Sequence, residues 1–232
     1  MNNIERMLTN LSEKFSSIFG TSVLEDDYIE IDLSENQLSS LKIDSTDPKQ
    51  LSNYISNFSK SFGNKIPYGG YLEKRDLYQR SAHFSKTRTA PRNIHLGLDF
   101  WSSAETPVFL PYDGIVHSFA NNSNFSDYGP TIIMKHEVID EEFYTLYGHL
   151  SEASISNIKV GNYMKKGEEI ARLGDYEVNG NYPPHLHFQL ILDLQNNNGD
   201  YPGVSNLSDL EFYKSNCPNP NLILNFKNKT EL

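Results

Sequence analysis

The chain has 232 residues, of which 38% are hydrophobic and 12% aromatic, with a formal net charge of −10 and one cysteine. That length can bury a sizeable core. The negative balance argues against nucleic acid or an anionic membrane surface as a general partner, because long-range electrostatics repel both. Cys217 alone excludes an intramolecular disulfide and any multi-cysteine zinc knuckle, and it reads as a structural thiol.

No stretch approaches the roughly 20 apolar residues that span a bilayer, so no membrane span is expected. Glu5, Arg6, Asn10, Glu13 and Lys14 interrupt residues 1–20, so no secretion signal is read there. The expected location is cytoplasmic by default.

Residues 4–19 place Ile4, Met7, Leu8, Leu11, Phe15, Ile18 and Phe19 at helical spacing, and Gly20 is a natural stop. Residues 28–33 alternate like a short strand, and Leu38 and Leu41 continue that small assembly. Asp47 and Pro48 make a helix start, an N-cap followed by proline. Leu51, Tyr54, Ile55, Phe58 and Phe62 then give the helix one apolar face up to Gly63.

Residues 66–85, with the charge run Glu73, Lys74, Arg75 and Asp76, read as a linker with a solvated face. The alternative is that Tyr71, Arg75 or Arg80 lines the wall of a groove. From about residue 86 the pattern becomes short alternating runs at 94–100, 107–119, 131–138, 143–150, 168–174 and 185–193, punctuated by Gly, Pro, Asn and Asp. Such runs predict a mainly β fold of antiparallel sheets with a small α-helical N-terminal extension. The loops 120–130 and 175–184 are long enough to frame a site. The expected division is a helical region and linker over 1–85, a β domain over 86–194, and a tail over 195–232 packed on that domain, with a short helix at 206–215.

Two of the β runs carry chemistry. In a strand side chains alternate between faces, so His185, His187 and Gln189 share one face while Leu186, Phe188, Leu190 and Leu192 share the other. The run 94–100 repeats the design, with Ile94, Leu96, Leu98 and Phe100 opposite His95, Gly97 and Asp99. His95, Asp99 and His187 are the donor set of a catalytic zinc, two imidazoles and one carboxylate with a fourth position open for water. Two imidazoles and a carboxylate also describe an iron facial triad, but two further histidines argue against that reading. His185 and His149 are candidates for proton transfer, because imidazole titrates near neutrality. Alternation puts Thr145, Tyr147 and His149 on one face. His83, His117 and His136 read as structural or surface residues, with His136 a candidate to support the site from behind. The chain has no HExxH motif, which excludes the helical zinc-protease design.

His95-x-x-x-Asp99, residues 147–151 (Tyr-Gly-His-Leu-Ser) and His185-Leu186-His187-Phe188, in that order, resemble the LytM/lysostaphin-type zinc metallopeptidases. Residues 97–100, 106–108, 113–116 and 160–171 are similar to that family's framework, and the likeness covers roughly 90–194. It implies antiparallel sheets forming an open groove related to the duplicated hybrid motif. It also implies one zinc ion on His95, Asp99 and His187, and His149 with His185 as the catalytic pair. The activity implied is an endopeptidase cutting peptidoglycan stem or bridge peptides. The rival readings are a non-catalytic zinc-containing peptidoglycan-binding regulator and an intracellular zinc hydrolase acting on another amide. Residues 181–184 (Asn-Tyr-Pro-Pro) depart from the family's small-residue approach to the His185 strand and are where an altered groove is expected. The oligomeric state is not legible in the sequence.

Overall fold

A computed structural model describes residues 3–10, 15–80, 91–138 and 141–226. Its centre is an eight-stranded sheet in the order β1-β2-β4-β11-β8-β7-β6-β9. The strands are β1 (Tyr28–Glu30), β2 (Ile66–Gly69), β4 (Leu98–Trp101), β6 (Gly114–Asn122), β7 (Gly129–Val138), β8 (Glu141–Gly148), β9 (Tyr163–Met164) and β11 (His185–Ile191). Among the described residues, two small antiparallel pairs lie outside this sheet. One joins β5 (Pro107–Phe109) to β10 (Glu169–Arg172), and the other joins β3 (Ile94–His95) to β12 (Val204–Ser205).

The mainly β expectation holds, and the large sheet is antiparallel except at one edge, where β1 runs parallel to β2. β2 falls inside the segment read as a linker, and it pairs with β4 through Tyr68↔Phe100 and Gly69↔Asp99. The N-terminal part of the chain therefore extends the sheet that carries the site. β2 is only four residues long and includes Pro67 and Gly69, so its sequence carries no alternation that separates it from a linker. The run 94–100 is also divided, since Leu96 and Gly97 leave the ladder between β3 and β4.

One face of the sheet is the main core. Val116, Ile132, Met134, Tyr147, Leu186 and Phe188 are buried there against Val108 and Leu110 around β5 and Ile170 of β10. Each such side chain contributes about 1.5–3 kcal/mol on burial. α1 (Asn3–Asn10) is the described part of the helix expected over 4–19. Residues 11–14 lie outside the described residues, and 15–19 are not helical. The amide of Phe109 donates to Ile18 O at 2.8 Å and that of Ser16 to Pro111 O at 2.9 Å. Phe15, Ile18 and Phe19 thus reach the core through backbone pairing and not through a helix face.

α2 (Glu35–Ser40) and α3 (Pro48–Ser61) follow in the N-terminal region. Asp47 caps α3, its carboxylate accepting from the Lys49 amide at 2.9 Å, as its Asp-Pro start requires. Leu51 and Ile55 of α3 pack with Ile31, Leu33, Leu38 and Trp101 of β4, so this small second core borders the sheet's other face. In the tail, Leu210–Asn216 is helical, close to the expected 206–215. Among the described residues no helix is long and apolar enough to cross a membrane.

Candidate metal centre and active site

Register places the site at the junction of β4, β11 and β8, on the face opposite the main core. His187 lies opposite Asp99 on one side and Gly148 on the other, and His185 lies opposite Trp101. His95 enters from β3, where it pairs with Val204. His95, Asp99 and His187 form a cluster whose donor atoms lie within 4.8 Å of one another. His95 Nε2 is 2.8 Å from His187 Nδ1, and Asp99 Oδ1 is 3.2 Å from each. All three side chains are about 2% exposed.

The outer atoms of these three residues determine what the inner ones offer. His95 Nδ1 lies 2.9 Å from Gly70 O, a pure acceptor, so the proton sits on Nδ1 and Nε2 presents a lone pair. His187 Nε2 is 2.9 Å from Gln189 Oε1. The Gln189 amide is oriented by its other end, which donates to Pro202 O at 3.2 Å and to Cys217 Sγ at 3.3 Å. His187 therefore carries its proton on Nε2 and presents a lone pair at Nδ1. Asp99 Oδ2 accepts from Arg75 Nη1 at 2.5 Å, leaving Oδ1 for the cluster. Two lone pairs and a carboxylate oxygen facing one point repel one another unless a cation lies between them. That donor set fits a divalent metal of the zinc type.

Electrostatics agree with the geometry. Burial alone would push the Asp99 carboxyl up, but the neighbouring His95 and Arg75 hold it well below the usual carboxylate range. Burial lowers His95 to about 4 against the opposing pull of Asp99, so its imidazole is neutral and ligand-competent at pH 7.

His149 and His185 sit beside this cluster, both 6% exposed, with ring centroids 4.2 Å apart. Each has Nδ1 on a backbone carbonyl, His149 on Asn179 O at 2.9 Å and His185 on Pro183 O at 2.7 Å. Their neutral forms therefore expose Nε2 as a base. Burial lowers both pKa values, His149 well below the ordinary range with help from His185 and His187. His149 arrives differently from its expected strand position. Tyr147, with which alternation groups it, packs in the main core. β8 ends at Gly148, and a positive φ of 64° at His149 turns its ring to the site face.

The site opens into a cavity of about 170 Å³ whose walls include Leu33 and Leu51 from the N-terminal region, Tyr78, Trp101, Tyr128 and Val204. Leu77 and Tyr78 pack on Tyr182 of the loop 175–184 and on Val204. Tyr182 also donates to Ser126 O at 3.0 Å, joining the two loops that the sequence marked as frames. Of the three groove-wall candidates, Arg75 is in the site, and Tyr71 instead donates to Cys217 O at 2.9 Å. The Arg80 side chain and His83 lie outside the described residues. His136 is buried away from the cluster, between Asp113 O and Thr145 Oγ1.

Sequence reasoning missed three contributors. Trp101 stacks on His185 at 5.9 Å and 18°. Tyr128 brings its hydroxyl 3.4 Å from His187 Nε2. Gln189 orients His187, and its position two residues along the same strand face was the signal that could have found it.

A buried cluster of metal-ligand type flanked by two histidines, on one face of an antiparallel sheet, is an arrangement that can hold a divalent cation beside two bases. Residues 93–199 match the model of peptidase family M23. It is similar to an uncharacterized metalloprotease of Haemophilus influenzae, at 37% identity over 43% of this chain and 19% of the other. It is also similar to the peptidoglycan DD-endopeptidase ShyA of Vibrio cholerae, at 32% identity over 49% of this chain and 23% of that one. The chain thus spans about a fifth of the length of these relatives. Among solved structures, the catalytic domain of lysostaphin from Staphylococcus simulans aligns with a TM-score of 0.42 and 22% identity, over 70% of this chain and 97% of that domain.

Proposed function

We propose that this protein is a zinc-dependent endopeptidase acting on stem or bridge peptides of peptidoglycan. The observation that carries the reading is the convergence of His95 Nε2, Asp99 Oδ1 and His187 Nδ1 beside the paired rings of His149 and His185. The family match over residues 93–199 and the named activity of the Vibrio relative support the substrate class.

His95, Asp99 and His187 would hold the ion. Zinc in such a site supplies a Lewis acid that acidifies water and polarises a carbonyl. The protein supplies the proton handling. His185 Nε2 is 3.9 Å from Asp99 Oδ1, so the carboxylate favours the protonated form of that ring, which suits it to take a proton from the attacking water and deliver it to the leaving amine. His149, held by Asn179 O, faces His185 closely enough that the two rings would not both ionise. The ring that carries the proton is the donor available to a developing oxyanion. Trp101 and Tyr182 wall the pair and limit water around it.

The test is metal content and peptide hydrolysis in wild type and in His185→Ala. The reading expects one zinc per chain in both and cleavage only in wild type. Equal cleavage by the variant would remove the role assigned to His185.

A further inference from the structure

A charged residue from the N-terminal segment reaches the cluster from behind. Arg75 is 3% exposed and donates from Nη1 to Asp99 Oδ2 and from Nε to Glu73 Oε2, both at 2.5 Å. Glu73 in turn accepts the Leu33 amide through Oε1 at 2.8 Å. A continuous line therefore runs from the backbone at Leu33 through Glu73 and Arg75 to the carboxylate of the cluster. The Lys74–Ile94 bridge and the bonds from the Leu72 amide to His95 O and from the His95 amide to Glu73 O fasten the same segment alongside β3.

We propose that Arg75 is a positioning residue for the metal, holding Asp99 by Oδ2 so that only Oδ1 is presented to the ion. The proposal rests on the metal-site reading above and extends it. Without the guanidinium, the Asp99 carboxylate can turn about its terminal torsion and offer either or both oxygens. With it, one oxygen is committed and the other lies 3.2 Å from both imidazole nitrogens. The planar fork of arginine suits this task, since two of its N–H groups, on Nε and Nη1, serve two carboxylates in fixed geometry, which a lysine ammonium cannot do.

Gly70 supplies an independent sign that the space is built for this side chain. A Cβ there would lie 2.0 Å from Arg75 Nη2 and 3.0 Å from His95 Nδ1, and the Gly70 carbonyl is the atom that orients His95. One residue without a side chain thus makes room for the group behind Asp99 while holding the second ligand. Trp101, whose ring centroid is 5.9 Å from the guanidinium carbon, flanks it on the other side.

The test compares wild type with Arg75→Met and Arg75→Lys. Zinc affinity is read by competition with a chromogenic chelator, and ligand geometry by visible absorption of the cobalt(II)-substituted protein. Melting of the metal-free proteins verifies that each variant is folded. Removing an outer partner of a metal ligand costs about 10–100-fold in affinity. Arg75→Met is expected to bind zinc that much more weakly with an altered cobalt spectrum, and Arg75→Lys to fall between it and wild type. Unchanged or tighter zinc binding by folded Arg75→Met, with the wild-type cobalt spectrum, would overturn the proposal. Should Arg75→Met not fold, Glu73→Gln takes its place. That variant frees Arg75 without touching Asp99, and it must also weaken zinc binding for the proposal to stand. A wild-type protein that takes up neither ion would instead overturn the metal-site reading itself, so the two failures are distinguishable.

Discussion

His149 and His185 face each other at 4.2 Å between ring centroids, and each is tied by Nδ1 to a backbone carbonyl of the loop 175–184. The loop therefore sets the tautomer of both rings at once and aims both Nε2 atoms into the same cavity. Neither ring is a member of the His95, Asp99 and His187 cluster, so on the proposed reading their removal should separate proton transfer from metal binding.

That separation gives the first expectation. His149→Ala and His185→Ala should each lower kcat/KM by roughly 10²–10⁴-fold, the usual contribution of a general acid or base, while zinc content stays at the wild-type level. Inductively coupled plasma analysis beside a peptide-cleavage assay checks both halves. Loss of zinc from either variant would move that residue into the ligand set.

The acid limb of the pH profile should lie low. Burial lowers both His149 and His185, so their neutral, proton-accepting forms persist below the ordinary histidine value of about 6.5. The midpoint of the acid limb of kcat/KM is expected below that value. A midpoint at or above it would mean that solvent reaches the pair freely.

His136 carries a stability prediction independent of the site. Its ring is 1% exposed, and burial lowers its pKa to about 4. The unfolded chain binds this proton as pH falls through about 6.5 and the folded protein only near 4. Stability from this group is therefore complete above the unfolded value and is lost across that window, by about 3 kcal/mol at full extent. Denaturant unfolding between pH 7 and 4 should show a shallower loss for His136→Gln than for wild type. Equal slopes would assign the acid sensitivity to other groups.

Gly97 is a steric prediction. A Cβ there would fall 2.7 Å from His187 Cε1 and 2.7 Å from Phe188 O, so Gly97→Ala must displace the His187 ring or the strand beneath it. Overpacking of this kind costs about 1–3 kcal/mol. The variant should melt lower and bind zinc more weakly, measured by thermal unfolding with and without added metal. A variant with wild-type zinc affinity would show that His187 is not the ligand displaced.

The cluster was readable in the sequence because a two-residue period assigns faces without knowledge of the fold. His185, His187 and Gln189 share a face wherever β11 lies, and an Asp-Pro start marks α3 from local chemistry alone. What stayed hidden depends on contacts between distant segments. In the sequence Arg75 is only an alternative groove-wall residue, because it sits in a charge run that looks solvated, and the pairing of β2 with β4 carries its segment behind Asp99. His149 was found as a residue but with the wrong geometry, since a positive φ breaks the alternation that grouped it with Tyr147. Residues 15–19 keep a helical spacing of apolar groups, yet they bury through backbone bonds to Phe109 and Pro111.

The most direct measurement is mass analysis of the fragments released from purified, cross-linked peptidoglycan by metal-stripped protein before and after addition of one equivalent of zinc. The account predicts fragments with newly freed amino and carboxyl termini within the stem or bridge peptides, and only after zinc is restored. Stoichiometric zinc uptake with no peptide bond cut in any fragment would contradict it.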